Sequence, residues 1–327
     1  MNEIRKLVTV FFVATVVLMS CKKDDSEDKD VYVAGSDGNI ATIWKNGVVQ
    51  NLTDGVNRAF ATSVYVSDND VYVSGYEKNA QGMDIAIIWK NGVAQNLTDG
   101  SNDAFAFSVY VSGNDVYVAG YEWNVQRVSI AKLWKNGIAQ DLTDGSNRIS
   151  AFALSVFVHG SDVYVAGHIG RKAVLWKNGT VQNFTNGNTW ASGSSVYVIN
   201  NDVYVSGYEE NAQGRSLATL WKNGEIQNLT DGNNHALAGD IYISGNDLYV
   251  LVNEWDEQKR HFAKIWKNGK LQNFADGYAR SIFVMDKDVY VVGEISSKAV
   301  LWKNGKVKNL TNRNTTVYVT SIFVVDK

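Results

Sequence analysis

The chain contains no proline, one cysteine and four histidines among 327 residues, and its net charge is only −3. Without proline, its tight turns depend on glycine, asparagine and aspartate. One cysteine and histidines without zinc-motif spacing disfavour a metal site, so neither a metal nor another cofactor is predicted. A balance of 31 basic and 34 acidic residues gives no basic field for a phosphate backbone, so nucleic acid is not expected as a partner.

The N-terminus predicts an export signal over residues 1–20. Arg5 and Lys6 precede an apolar run from Leu7 to Met19, which suits a signal-peptide core and is short for a membrane span. The run ends in Leu18-Met19-Ser20-Cys21, which resembles the lipobox of bacterial lipoproteins. This resemblance implies that Cys21 is acylated, as with palmitate, and anchors the mature chain in a membrane. An ordinary signal peptide with a chance cysteine is the alternative.

Residues 21–29 are predicted to be the lipidated cysteine and a flexible tether, because the stretch is charged and has nothing apolar to bury. The tether is similar to the acidic export signals of outer-membrane lipoproteins in Bacteroidetes-type bacteria. A plain solvated spacer explains the same composition. The predicted location is the bacterial outer membrane, and exposure on the cell surface stays open.

The remainder, residues 30–327, is a tandem repeat. Trp-Lys-Asn-Gly occurs seven times, at intervals of 45, 45, 42, 45, 45 and 36 residues. The tryptophans are Trp44, Trp89, Trp134, Trp176, Trp221, Trp266 and Trp302. A period of about 40 to 45 residues built from short strands is typical of a β-propeller, in which each repeat is one blade. The sequence therefore predicts an all-β fold of seven four-stranded antiparallel blades, expected as a monomer.

Within the second repeat, four strands are predicted and named A to D from the axis outward. They are Ser63 to Ser67, Asp70 to Ser74, Ile85 to Trp89 and Val93 to Leu97, and Asn91-Gly92 is a strong hairpin signal between the last two. On this assignment the chain begins at strand B of the first blade and ends with an unpaired strand A, Ser321 to Val325. This C-terminal strand is predicted to close the ring by pairing with the N-terminal strands, which removes exposed edges.

The loops differ between the two faces of the predicted disc. The A–B and C–D turns are short and define the tight-turn face, whereas the B–C loops and D–A returns vary and define the variable-loop face. Trp123, Trp190 and Trp255 depart from the repeat and are predicted on the variable-loop face. Exposed indoles there suit stacking on sugar rings or anchoring of a protein. Shielding of the loop bases is the alternative.

Acidic residues recur just after the second strand of the repeats, and a histidine stands in the blade that lacks one. They are Asp37, Glu77, Glu122, Glu209, Glu254 and Glu294, with His168. Glu77, Glu122, Glu209, Glu254 and His168 are therefore candidate ligand-binding residues beside the three tryptophans. Solvated loop residues paired with neighbouring cations are the simpler explanation of the acids. No catalytic residue is predicted, because no pair of carboxylates stands out.

The mature chain resembles seven-bladed β-propeller lipoproteins of Bacteroidetes-type bacteria, on its lipobox and its seven Trp-Lys-Asn-Gly repeats. This resemblance implies an envelope location without one ligand, and fold alone does not transfer function. The leading hypothesis is a non-catalytic cell-envelope lipoprotein that binds a glycan or protein on its variable-loop face. The alternatives are a polysaccharide-acting enzyme and a scaffold subunit of an outer-membrane complex.

Overall fold

The computed structural model describes residues 28–311 and 316–327, most of them in short strands. The first fourteen strands are β1 (Lys29–Asp37), β2 (Ile40–Lys45), β3 (Val48–Asn51), β4 (Ala59–Ser67), β5 (Asp70–Lys78), β6 (Asp84–Lys90), β7 (Val93–Asn96), β8 (Ala104–Ser112), β9 (Asp115–Trp123), β10 (Ser129–Lys135), β11 (Ile138–Asp141), β12 (Ala151–His159), β13 (Asp162–Ile169) and β14 (Lys172–Lys177). The rest are β15 (Thr180–Asn183), β16 (Ala191–Ile199), β17 (Asp202–Glu210), β18 (Ser216–Lys222), β19 (Glu225–Asn228), β20 (His235–Ser244), β21 (Asp247–Trp255), β22 (His261–Lys267), β23 (Lys270–Asp276), β24 (Tyr278–Met285), β25 (Asp288–Ile295), β26 (Lys298–Lys303), β27 (Lys306–Asn309) and β28 (Val317–Asp326). A short 3-10 helix spans Ser146–Arg148.

The strands form seven separate four-stranded antiparallel sheets arranged as blades, which confirms the predicted propeller. Blades two to seven each use four consecutive strands, from β4–β7 to β24–β27. The first blade has the order β28-β1-β2-β3, so the last strand of the chain is its strand A. The predicted closure of the ring by the C-terminal strand is therefore also confirmed. The predicted signal sequence and Cys21 lie outside the described residues.

Strands A and B extend further toward the variable-loop face than the sequence predicts. Strand β4 begins at Ala59 rather than Ser63, and β5 continues to Lys78 rather than ending at Ser74. Two of the four added residues of β4 are the buried Ala59 and Ala61, which have little strand propensity, so the strand signal there is weaker. As a result, Trp123 and Trp255 are the last residues of β9 and β21, not members of a loop.

The repeated tryptophans pack between blades, as predicted for a structural role. All seven are buried, and each joins a hydrophobic cluster with residues of the preceding blade. Trp89, for example, packs with Tyr32 and Ile43 of the first blade. In five of these tryptophans the indole N–H has no hydrogen-bond partner among the described residues. Apolar packing rather than hydrogen bonding therefore holds them in place.

A closed ring of aromatic side chains surrounds the axis near the tight-turn face. Each strand A contributes one member, and neighbouring ring centroids are 4.5 to 6.0 Å apart. The members are Tyr65, Tyr110, Phe157, Tyr197, Tyr242, Phe283 and Phe323. Phe323 belongs to β28, so this aromatic ring is complete only when the C-terminal strand is in place.

Candidate functional site

The tight-turn face is occupied by a repeated polar contact, here called the turn clamp, that explains the Lys-Asn-Gly of each repeat. In the third blade, the Asn136 side chain accepts a hydrogen bond from the Val116 amide at 2.8 Å and donates one to Asp115 at 2.8 Å. Lys135 lies 2.7 Å from the same carboxylate. Asn136 and Gly137 adopt φ of 51° and 81°, the left-handed region that asparagine and glycine tolerate best.

Every blade repeats this clamp between the start of strand B and the C–D turn. The aspartates are Asp30, Asp70, Asp115, Asp162, Asp202, Asp247 and Asp288, each bonded to the asparagine and the lysine of its own blade. In Asp115, hydrogen bonds from Lys135 and Asn136 hold the pKa below its usual value. These aspartates thus hold the A–B turn and the C–D turn of each blade together. This structural role explains why aspartate recurs at this position.

On the variable-loop face, two of the three predicted tryptophans have an arginine guanidinium over the indole ring. Trp190 directly precedes β16, is 45% exposed and has the Arg171 guanidinium 5.1 Å from its ring. Trp123 has Arg127 at 5.2 Å. A cation above one face of an indole leaves the other face for a ligand or for packing. Of the three tryptophans, Trp190 is therefore the one with the most surface to offer.

Trp255 belongs to a larger aromatic group that leads toward the axis. Its ring stacks on His235 at 5.4 Å with an interplanar angle of 3°, and His261 lies 6.0 Å away on the next strand. His261 in turn meets the edge of Tyr278 at 5.6 Å. Tyr278 begins strand A of the seventh blade and carries Arg280 over its ring at 4.3 Å. The tryptophan predicted from the sequence is thus connected to the axial residues by direct contacts.

The predicted acidic residues are held mainly by partners beside them. Glu122 forms an ion pair with Lys132 at 3.0 Å, and Glu254 forms one with Lys264 at 2.7 Å, each lysine lying on strand C of the same blade. Glu209 accepts a hydrogen bond from the preceding return, where the Thr189 hydroxyl lies 3.4 Å away.

Glu77 differs, because burial and the nearby charge of Asp54 raise its pKa. The structure thus gives the acids of the third, fifth and sixth blades local partners, and their role in ligand binding stays a hypothesis.

Strand register separates Glu294 and His168 from the other members of this set. Glu77 lies opposite Ala59, and Glu122, Glu209 and Glu254 take the same place in their blades. His168 and Glu294 lie one residue earlier, opposite Phe152 and Tyr278. Because side chains alternate along a strand, these two point to the other side of their sheets. Burial lowers the pKa of His168, and its Nδ1 lies 3.0 Å from the Ser192 hydroxyl.

A cavity that opens toward this face lies on the axis and was not predicted. Each strand A contains a β-bulge, which leaves a residue without a cross-strand partner where the strand approaches the axis. The bulged residues that line the cavity, here called the collar, are Thr62, Phe107, Leu154, Ser194, Gly239, Arg280 and Thr320. The cavity has a volume of about 300 Å³. Along each strand A, the collar lies between the variable-loop face and the aromatic ring.

Immediately after the collar, six serines and one aspartate form a belt of hydrogen bonds from blade to blade. Each side chain accepts the amide N–H of the next blade, at 3.1 to 3.4 Å. The members of this serine belt are Ser63, Ser108, Ser155, Ser195, Asp240, Ser281 and Ser321. The belt links all seven blades around the cavity and helps to fix the positions of the collar residues.

Asp240 is the exception in the serine belt. Besides the Ile282 amide, its carboxylate accepts hydrogen bonds from the Ser281 hydroxyl at 2.7 Å and the Ser195 hydroxyl at 3.2 Å. Burial raises the pKa of Asp240 in spite of these bonds. Among the residues lining the cavity, Asp240 is the one carboxylate and Arg280 the one permanent cation. A two-carboxylate hydrolytic mechanism would need a second acid, which this lining does not supply.

Arg280 is fixed at the cavity by two contacts. Its Nε and Nη2 donate to Glu294, with Nη2 3.1 Å from the carboxylate, and its guanidinium lies over Tyr278. Sequence reasoning placed Glu294 among the loop acids and did not single out Arg280. The available signal was the recurring pattern of alanine, any residue, then serine in strand A, as in Ala61-Thr62-Ser63, whose middle position varies between repeats.

Known proteins share this architecture. No protein-family model and no curated protein matches the chain. Among solved structures, an acylaminoacyl peptidase of Pyrococcus horikoshii is similar with a TM-score of 0.54 and 15% identity, over 88% of this chain and 51% of that one. A puromycin hydrolase is similar with a TM-score of 0.56 and 10% identity, over 88% of this chain and 52% of that one. The likeness is one of fold alone.

The chain thus spans about half the length of the two hydrolases. Within the part of the chain that the structure describes, no group of three or more histidine, cysteine or acidic side chains is placed to hold a metal. No helix of these residues is long and apolar enough to cross a membrane.

Proposed function

We propose that this chain is a non-catalytic envelope protein that captures a glycan or a protein on its variable-loop face. The observation that carries the proposal is the contrast between the two faces. On the tight-turn face, seven turn clamps occupy the recurrent charged groups. The variable-loop face instead exposes Trp190 and has the axial cavity beneath it. Exposed aromatic surface beside a concave polar site favours ligand capture.

The test uses residues 28–327, which contain the complete ring. Binding to a broad glycan array and capture of envelope proteins would be measured for this protein and for a Trp123→Ala, Trp190→Ala, Trp255→Ala variant. Loss of binding in the variant is expected, because truncation removes the stacking surface. A matched control is Val93→Ala with Ile138→Ala, since these side chains are 72% and 76% exposed on the outer strands.

Three outcomes separate the alternatives. If the triple tryptophan variant binds as well as the parent protein, capture by these residues is wrong. Release of reducing sugar from a polysaccharide would instead support the enzyme alternative. Copurification of a stable partner that survives the triple substitution would support a scaffold. Circular dichroism of both variants shows whether the ring is intact.

Membrane attachment through Cys21 is a separate part of the proposal and rests on the lipobox-like sequence Leu18 to Cys21. Two or more acyl chains at one residue would give stable anchoring, which a single chain does not. Metabolic labelling of bacteria with an alkyne-bearing palmitate should label the full-length chain and not the Cys21→Ala variant. Equal labelling of the two would contradict lipidation at Cys21. Protease treatment of intact cells would distinguish a surface location from a periplasmic one.

A further inference from the structure

The collar residue varies between repeats, whereas the residues directly before and after it in the sequence hardly change. The residue before it is alanine in five blades, glycine in the fifth and valine in the first. The residue after it is a serine in every blade except the sixth, where it is Asp240. The collar itself reads Thr, Phe, Leu, Ser, Gly, Arg and Thr in chain order. Variation is thus concentrated at the side chains that line the axial cavity.

The flanking residues are constrained by the fold in every blade, whereas the fold constrains the collar residues to different degrees. The small residue before the bulge is buried in every blade, and the belt residue after it bonds to the next blade. Of the collar residues, Thr62 and Thr320 use their hydroxyls on backbone carbonyls. Phe107, Leu154 and Arg280 make no such bond to the backbone of a neighbouring blade. Phe107 lies 5.6 Å from the Tyr121 ring and Arg280 pairs with Glu294, each within its own blade, so these contacts do not join one blade to the next.

The collar has an apolar side and a polar side. Phe107 and Leu154 come from the third and fourth blades, whereas Arg280 comes from the seventh. In a ring of seven blades, the seventh is three steps from the fourth and from the third by the shorter way round, so it stands across the axis from both. Asp240 comes from the sixth blade, next to that of Arg280, and Ser194 comes from the fifth. A ligand in the cavity would therefore contact apolar side chains on one side and polar groups on the other.

The charges of the polar side favour a neutral occupant. The positive charge of Arg280 is offset by its ion pair with Glu294 at 3.1 Å. Glu294 engages Nε and Nη2 of the arginine, so Nη1 remains as a donor toward a ligand. Fixed donors and acceptors without excess charge suit hydroxyl groups better than a carboxylate or phosphate.

We propose that the axial cavity binds one neutral sugar residue, with a face of the ring on Phe107 and Leu154 and its hydroxyls on Arg280 and Ser194. A volume of about 300 Å³ lies at the lower end of ligand pockets, which suits a single ring better than an oligosaccharide. This inference rests on the proposed capture function and makes its ligand a glycan that presents a terminal sugar to the axis.

The test substitutions can be copied from the collar positions of other blades, where the ring already accommodates these residues. Phe107→Leu copies the collar residue of the fourth blade, and Arg280→Thr copies that of the first and second. Saturation-transfer NMR on residues 28–327 would use methyl glycosides of glucose, galactose, mannose and N-acetylglucosamine, with glucuronate as a charged probe. At least one neutral glycoside is expected to receive saturation. Either substitution should weaken its binding roughly tenfold, since stacking and fixed hydrogen bonds are each lost.

The outcomes distinguish the cavity from the outer loops. Signals that survive Trp190→Ala and are lost in Phe107→Leu and Arg280→Thr place the sugar in the collar. Signals lost only in Trp190→Ala would overturn the cavity site and leave capture on the variable-loop face intact. Transfer to glucuronate alone, or to none of the probes, would overturn the neutral-sugar inference, and the array and partner assays would then decide the proposed function independently. Thermal unfolding of each variant shows that its fold is retained.

Discussion

Removal of the C-terminal strand should open the ring. A chain ending at Thr316 lacks β28, which supplies strand A of the first blade and pairs with nine residues of β1. Four aliphatic side chains of β28 are buried, namely Val317, Val319, Ile322 and Val324. Burial of each contributes about 1.5–3 kcal/mol, or roughly 6–12 kcal/mol together. This is comparable to the whole stability of a typical domain, about 5–15 kcal/mol.

Further losses come from the contacts of β28 with both neighbouring blades. Phe323 lies 4.7 Å from Tyr65 and 4.9 Å from Phe283, so its removal interrupts the aromatic ring. Ser321 accepts the Val64 amide, and its removal interrupts the serine belt. We therefore expect residues 28–316 to lose cooperative thermal unfolding and to expose apolar surface to a hydrophobic dye.

Addition of the missing strand as a peptide provides the sharper assay. A synthetic peptide of residues 317–327 should restore the near-ultraviolet circular dichroism and the cooperative transition of the truncated chain. The same peptide with Ile322→Asp should not, because it would place an unpaired charge at a buried site. Val307→Ala in the full ring is a control, since Val307 is exposed. Cooperative unfolding of the truncated chain at the midpoint of the full ring would refute this account of ring closure.

Three further substitutions test the turn clamp, the serine belt and the bulge. Asn136→Ala should lower the free energy of unfolding by about 1–2 kcal/mol in urea titration, because two hydrogen bonds and a residue suited to positive φ are lost. For Asp240→Ser, the stability difference between variant and wild type should increasingly favour the variant as the pH rises from about 4, near the unfolded pKa of aspartate. Burial raises the folded pKa of Asp240, so the native protein is most stabilised by this group below the unfolded pKa and loses that contribution as pH rises through the folded pKa. Gly120→Val should destabilise the ring by about 1–3 kcal/mol in thermal unfolding, because a side chain there overlaps the Phe105 carbonyl, and addition of Phe107→Gly should recover part of the loss.

Each of these substitutions has an outcome that would contradict it. Asn102→Ala is the control for the turn clamp, since Asn102 makes a single hydrogen bond of 3.3 Å, and equal effects of the two asparagine variants would argue against the clamp. For Asp240→Ser, stability curves of wild type and variant that run parallel with pH would show that Asp240 is not destabilised by ionisation. For Gly120→Val, a loss that Phe107→Gly leaves unchanged would separate the glycine from the bulge.

The blade architecture could be predicted because its signals are local and repeated. The turn residues of the clamp, such as Asn136-Gly137, require positive φ and mark the hairpin directly in the sequence. The closing strand followed from counting strands in each repeat. The prediction of ring closure rested on one physical argument. An unpaired strand A and a blade that lacks strand A can pair and remove each other's exposed edges.

The axial cavity could not be predicted because a bulge breaks the alternation on which strand patterns depend. From Ala61 to Ser63 the chain gains one residue relative to its partner strand, so the direction of Thr62 cannot be read from a period of two. The different register of His168 and Glu294 has another origin, because they directly follow the glycine of strand B, whereas Glu77 lies one residue later. Exposure of the tryptophans likewise depends on neighbours such as Arg171, which come from another part of the repeat.

The sixth blade shows that the bulge geometry and the chemistry of the cavity are separable. In the other six blades, strand B has a glycine opposite the bulge, since a Cβ there would overlap a carbonyl oxygen of strand A. The sixth blade has Val252 at this position and moves its glycine to the collar as Gly239, with a register gap between Ala238 and Ile241. A glycine is therefore needed to avoid this overlap, but it can lie on strand B or in the bulge of strand A.

The exchange of glycine between strands B and A affects the axial cavity, because the same blade also has Asp240 in place of the belt serine. Gly239 removes a side chain from the collar next to Asp240, the one belt residue with a carboxyl group. The other six blades have a side chain and a serine at these two positions, so Gly239 widens the cavity and Asp240 makes it more polar on the side of Arg280. Asp240 still accepts the Ile282 amide and bonds to the Ser195 and Ser281 hydroxyls, so the sixth blade keeps its place in the belt while it changes the polarity of the cavity.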